Sequence, residues 1–372
     1  MNFIKPKPAQ LKVFLLAIWF FIQAFLLYHY GIVTKLEASK YIDVAQYFLQ
    51  HGYFPSANYY LYSTQIMLIA LAIKWQAGFA AVVALQLALN LVATFSFYSL
   101  AKTILQKRWL PELAVFLFII NIPYQQYNTF LYTESVFYSL TIIFSSYLLR
   151  IKAITFPTLA WLLAAIVLLS ITRPTGILFF PATAIFLLLK FYPRVRAWYK
   201  AGGIIVALSL FLWVLDIMLQ SGGSLDFMLP FKKENIICGV NTTPEIAIKT
   251  SAEANTLKGI VFYIFHNSGQ FFRLALLKTV SFFGFTRTYY SDLHNMLLVL
   301  FYYPFYFLSV VGFYKKIREQ KSELYYMASL IMLYWITTLL TCDDWHNRFV
   351  LTVIPFFFLI GLSAFEKRVS KS

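Results

Sequence analysis

Stretches of about 20 mostly apolar residues recur along the whole chain, and this recurrence leaves few folds open. A hydrocarbon core about 30 Å thick is crossed by about 20 helical residues. Runs of that kind fit near 11–33, 77–101, 110–127, 134–150, 156–172, 175–190, 202–220, 295–314, 324–341 and 349–365. The expected fold is an all-α polytopic membrane protein, one transmembrane domain over residues 1–372, with about ten spans and interfacial helices in outer loops. Composition agrees: 60% hydrophobic and 12% charged residues fit no soluble class.

The net charge of +16 would suit a nucleic-acid binder if it lay on one polar domain. Instead the basic residues cluster between apolar runs, as at Lys5, Lys7 and Lys12, at Lys102, Lys107 and Arg108, at Lys190, Arg194 and Arg196, at Lys315, Lys316 and Arg318, and at Lys367, Arg368 and Lys371. Short loops rich in Lys and Arg face the cytoplasm. This bias puts both termini inside, reads no nucleic-acid partner, and gives a lipid bilayer as the surroundings. Of the 15 acidic residues, only Glu112, Glu319, Glu323 and Glu366 fall on the inner side, so chemistry is expected outside. The first apolar run lacks a small-residue cleavage site and reads as an uncleaved helix.

Two outer segments are long, 34–76 and 221–293. In the first, Tyr59 to Trp75 suits a helix on the membrane surface. The second opens on an SGGS turn at 221–224, and its later part, 259–285, carries His266, Asn267, Gln270, Arg273 and Lys278, which suit an outer interface better than a span. Cys238 and Cys342 are too few for a disulfide framework, although one bridge can form if both lie outside.

Charged residues of the outer side supply the candidates. Glu37 and Asp43 open the first outer loop, and a helix over 39–49 places Tyr41, Ala45 and Phe48 on one face with Glu37 at or before its start. Arg173 stands between two spans and Pro174 breaks the helix after it. Glu134 begins a span, and Asp216, near the end of another, is expected to line a cavity or pair with a cation. FTRTYYSDLHN brings Arg287, Tyr289, Tyr290, Asp292 and His294 together, and TCDDWHNRF adds Asp343, Asp344, His346 and Arg348. Guanidinium forks and phenols suit a lipid-linked phosphate. These acids and imidazoles show no recognised metal-ligand spacing, so a divalent metal is left open and no cofactor is assigned. No nucleotide-binding fingerprint appears.

The order of fragments resembles the GT-C superfamily of integral-membrane glycosyltransferases, in the branch of protein O-mannosyltransferases and the lipid A aminoarabinose transferase. Glu37, Tyr41, Ala45, Gly52 and Pro55 answer to its early outer loop, except that the usual acidic pair is Glu37-Ala38 here. YTES with Glu134, TRPTG with Arg173 and Pro174, and Arg348, Phe349 and Pro355 near the end follow in order. The resemblance implies inverting transfer of a sugar from a polyprenyl-phosphate donor to a glycan, lipid or protein acceptor on the outer face. Glu37 or Asp43 would be the base, and Arg287, Tyr289, Tyr290, His294, Arg173 and Arg348 would bind substrate. The rival readings are an O-antigen-type polymerase or ligase, which would rely on outer arginines, and a transporter or flippase, which would show inverted repeats.

Overall fold

The computed structural model describes residues 8–192, 195–220, 228–240, 244–251, 253–319 and 321–366. The basic positions Lys5, Lys7, Arg194, Lys367, Arg368 and Lys371 and the SGGS turn lie outside the described residues. The helices are α1 (Pro8–Tyr30), α2 (Glu37–His51), α3 (Ser63–Lys74), α4 (Gly78–Ile104), α5 (Leu110–Ile119), α6 (Ile122–Gln125), α7 (Thr133–Arg150) and α8 (Phe156–Thr172). They continue as α9 (Phe179–Phe191), α10 (Ala197–Gln220), α11 (Leu229–Lys232), α12 (Leu257–His266), α13 (Ser268–Gly284), α14 (Asp292–Lys316), α15 (Ser322–Leu340) and α16 (Arg348–Leu362). Short 3₁₀ turns join several of them, and the described residues contain isolated β-bridges but no strand.

The chain is an all-α polytopic membrane protein. Seven helical stretches among the described residues are long and apolar enough to cross a bilayer: Gln10–Tyr30, Gly78–Ile104, Pro174–Phe191, Trp198–Ile217, Asp292–Lys316, Ser322–Leu340 and Trp345–Phe365. The other three expected runs also form helix but differ from these in physical ways. α5 stops at Ile119 and the chain continues through short turns, while α8 is apolar but one turn shorter than most spans. α7 carries Thr133, Ser135, Ser139, Thr141, Ser145 and Ser146, all buried, and small polar residues of this kind allow close helix packing.

Contacts group the chain into two compact units. The first takes the described parts of Met1–Pro55, Tyr59–Gly176 and Phe358–Ser372, and the second those of Ser56–Asn58 and Ile177–Phe357. In the first unit α7 packs along α4, and α3 packs against α2, α4 and α8. The segment expected to lie on the membrane surface is therefore partly internal, with Gln65, Ile66, Ile69, Ala70 and Ala72 of α3 buried.

A chain of amides holds the turns between α5 and α7. Gln86 donates to the Phe130 carbonyl at 2.9 Å, Gln23 to Gln125 at 3.0 Å, and Asn128 to Gln125 at 3.0 Å and to Gln23 at 3.1 Å. Ser135 completes the set by donating to Asn128 at 2.7 Å. Irregular backbone away from water needs such partners, since each unpaired buried group costs about 1–3 kcal/mol.

In the second unit α9 packs with α10 and α15, and α13 packs with α15. The elements between α10 and α14 form a small core of their own from Met228, Phe231, Ile260, Tyr263 and Leu274. The segment 259–285 is two helices broken at Asn267, and α13 is not among the helices apolar enough to span. It does not simply lie on the surface, however. Arg273 is half exposed and paired with Glu234, whereas Lys278 is fully buried. Lys278 donates to the carbonyl of Thr341 and, at 3.4 Å, to that of Leu339 at the end of α15, and its amine lies 4.2 Å from the Phe231 ring centroid. A helix C-terminus and an aromatic face both favour a cation, which offsets part of the burial penalty. Burial still pushes the amine down to about 7.

Candidate functional site

The first unit brings three charged residues to helix ends. Val33 donates its N–H to Thr129 at 3.0 Å and its carbonyl accepts from Leu131 at 3.1 Å, tying the connection between α1 and α2 to the turn before α7. Leu36 takes a left-handed φ of 59°, and α2 then begins at Glu37. The expected helix is therefore present, two residues longer at each end, with Tyr41 and Ala45 buried as its spacing requires.

Tyr41, fully buried, donates its hydroxyl to the Glu37 carboxylate at 2.6 Å. Burial pushes the phenol well above its usual range, and the charge of Glu37, then of Tyr62 and Glu134, pushes it further. Tyr41 is thus a neutral donor at any ordinary pH, within electrostatic reach of a second carboxylate. That carboxylate, Glu134 in the first turn of α7, is fully buried and accepts from Arg173 Nη1 at 2.6 Å.

The TRPTG fragment explains the position of Arg173. Pro174 excludes helical backbone at the residue before it, so Arg173 ends α8 in an extended conformation. Its own N–H still bonds Leu169 at 3.0 Å. Gly176 then passes so close to the Leu169 carbonyl group that a Cβ would not fit. Asp43 differs from Glu37 in every respect: it is exposed on α2 and has no hydrogen bond or ion pair among the described residues.

The second unit assembles FTRTYYSDLHN and TCDDWHNRF. Arg287, buried, donates to Asp343 at 2.5 Å from Nη2 and to the Ser281 and Thr286 carbonyls, each at 3.1 Å, from Nη1. Its Nη1 and Nη2 are occupied by the protein, and Nε is buried without a partner among the described residues. Asp343 also accepts from Ser281 at 2.8 Å. Burial raises its carboxyl, and the nearby Arg287 charge and Ser281 hydrogen bond oppose that shift. Backbone pairing holds Asp343 as well, through Asp343 N–H to Ile236 and Cys238 N–H to Asp343, each 2.8 Å. A disulfide joins Cys238 to Cys342 beside it.

Three residues here are left-handed without being glycine: Phe285 at φ 58°, His346 at 54° and Asn347 at 61°. Each costs about 1–3 kcal/mol, and such strain persists only where the surroundings enforce it. The strained segments hold one another, since Asn347 donates its amide to the Phe285 carbonyl at 2.9 Å. Tyr290 shares a hydrogen bond of 2.8 Å with His346 Nδ1 and stacks on the exposed His294 at 4.3 Å, and Tyr289 is exposed beside them. Arg348 is buried and acts on His346 as a neighbouring charge. Among the described residues no group of three or more His, Cys, Asp or Glu side chains is placed to hold a metal ion.

In the sequence Glu134 and Arg173 stand as separate candidates, as do Arg287 and Asp343, and the fold makes each two a pair. The sequence candidates omit the amides Gln23, Gln86, Gln125 and Asn128, whose signal is polar residues inside apolar runs. Asp216 does line a cavity, and its Oδ1 accepts from Leu257 N–H at 2.7 Å. No protein-family model, curated protein or solved structure matches the chain.

Proposed function

We propose that the chain is an inverting membrane glycosyltransferase that uses a polyprenyl-phosphate sugar on the non-cytoplasmic face of a bacterial inner membrane. The observation carrying this reading is the half-buried Glu37 carboxylate, held by the neutral Tyr41 donor beside the buried Glu134–Arg173 pair. A general base needs an ionised carboxylate that is fixed in direction and open to the acceptor. Glu134 is sealed and neutralised by Arg173, and Asp43 is exposed without a partner to orient it, so Glu37 fits the role best.

In the step envisaged, the acceptor hydroxyl gives its proton to Glu37 as its oxygen bonds to the anomeric carbon. The bond from that carbon to the phosphate oxygen breaks, and the polyprenyl phosphate leaves with the electron pair. Tyr289, Tyr290, His294 and Arg348, gathered within the second unit, are proposed separately as a substrate-binding cluster, with Arg287 held beside them by its bond to Asp343. Ten spans and two cytoplasmic termini complete the reading, with α7, α8 and α5 plus its buried turns joining the seven long apolar helices.

Transfer from a polyprenyl-phosphate sugar in membranes tests the assignment. Glu37→Gln should lower turnover by about 10²–10⁴ while donor binding survives. Asp43→Asn should stay near wild type. Normal transfer by both variants would end the proposal for this loop, and selective loss in Asp43→Asn would overturn the assignment to Glu37.

A further inference from the structure

The second unit contains a cavity of about 870 Å³, lined by Leu212, Trp213 and Asp216 of α10 and by residues 253–258, which lead into α12. This lies within the range of roughly 300–1,000 Å³ typical of small-ligand sites. None of the residues of the Glu37 or Tyr289 clusters lines it.

Several interactions fix its wall. Asp216 bonds the first N–H of α12, and Thr256 caps the same helix, accepting from Gly259 at 3.0 Å and donating to Glu253 at 2.8 Å. Gly259 has no room for a Cβ against the Glu253 and Ala254 carbonyls, so the loop closes tightly over the first turn. Leu215, Ala254 and Leu257 anchor this wall on the Ile260 and Tyr263 core.

The lining chemistry selects a ligand class. Trp213, in the last turns of the apolar stretch Trp198–Ile217, is 63% exposed and offers a flat aromatic face at the end of that stretch. Asp216 and Glu253 supply acceptors, Lys258, whose amine lies 3.8 Å from Glu253, supplies a donor, and Asn255 has a buried Oδ1 without a partner among the described residues. The titratable groups sum to one negative charge in a chain of net charge +16, which disfavours an anion at this place. A ligand with a rim of hydroxyls and an apolar C–H face matches such a mixture. We infer that this cavity binds a neutral saccharide, its ring face on Trp213 and its hydroxyls on the carboxylates, Asn255 and Lys258.

The inference rests on the cavity alone and not on the transferase reading. Saturation-transfer NMR on the full-length protein in detergent tests it, with maltose and diacetylchitobiose as probes at millimolar concentration and choline as a cationic counter-probe. Transfer to ring C–H protons of at least one disaccharide is expected, with affinity falling at least about tenfold, or 1.4 kcal/mol, in Trp213→Ala. Trp213→Phe should retain binding, and Asp216→Asn, which keeps an acceptor for Leu257, should weaken it. Glu37→Gln should bind normally even where it abolishes transfer, which separates the two readings. No transfer to either sugar, transfer indifferent to Trp213→Ala, or displacement of the sugar by choline would overturn the inference.

Discussion

Glu134 and Arg173 share a buried bond of 2.6 Å whose worth is better judged by breaking it than by its length. Two charges withdrawn from water gain little net stability together, yet removing one strands the other, at a cost of about 3–5 kcal/mol. Glu134→Ala and Arg173→Ala should each lower thermal stability in detergent by that order. The pair Glu134→Leu with Arg173→Leu should recover most of the loss, because no lone charge is left. A double variant as unstable as the sum of the singles would show that the two side chains do not act as a pair. Both residues were legible in the sequence as candidates; their partnership was not, because 39 positions separate them and only the folding of α8 back along α7 closes the distance.

At the scale of elements, α13 is decided by Lys278. An unfolded chain keeps this amine protonated up to its ordinary value of 10.5, whereas the folded chain releases the proton above about 7. Between those values the unfolded state binds more protons, so stability contributed at this site rises with pH across the window and is flat below it. The sign is opposite to that of a lysine stabilised by an acid. Lys278→Met should remove the dependence, so the melting-temperature difference between variant and wild type should shift in the wild type's favour from about pH 7 to 9. A difference that stays constant with pH would contradict the burial. In the sequence α13 reads as a poor span, but nothing there tells that one cation turns inward, since the carbonyls receiving it belong to the end of α15, more than 60 residues on.

For the whole molecule, the Cys238–Cys342 bridge and the charge pattern bear on the same topology by independent routes. Disulfides persist in oxidising compartments, and under the proposed topology the basic clusters fall on the opposite face. In intact cells, with both cysteines replaced, Glu253→Cys should react with an impermeant maleimide, while Arg108→Cys and Lys152→Cys should not. Reaction at Arg108→Cys with protection at Glu253→Cys would invert the orientation. Removing the bridge by Cys342→Ser should also destabilise the protein by about 2–5 kcal/mol, since the closed loop spans 104 positions.

The sequence by itself determined the helical membrane class, the places where helices form and the identity of the charged residues worth examining, because hydropathy and Pro, Gly and Lys/Arg placement act locally. Tertiary structure alone decided how those residues are used. Glu37 and Asp43 are equal acids in the sequence, but packing leaves one held by Tyr41 and the other exposed. Arg287 looks like an open phosphate donor in the sequence, yet the chain from α15 to α16 places Asp343 against it. Pairing of this kind depends on which distant segments meet, and that is fixed only when helices of similar apolar character choose their neighbours.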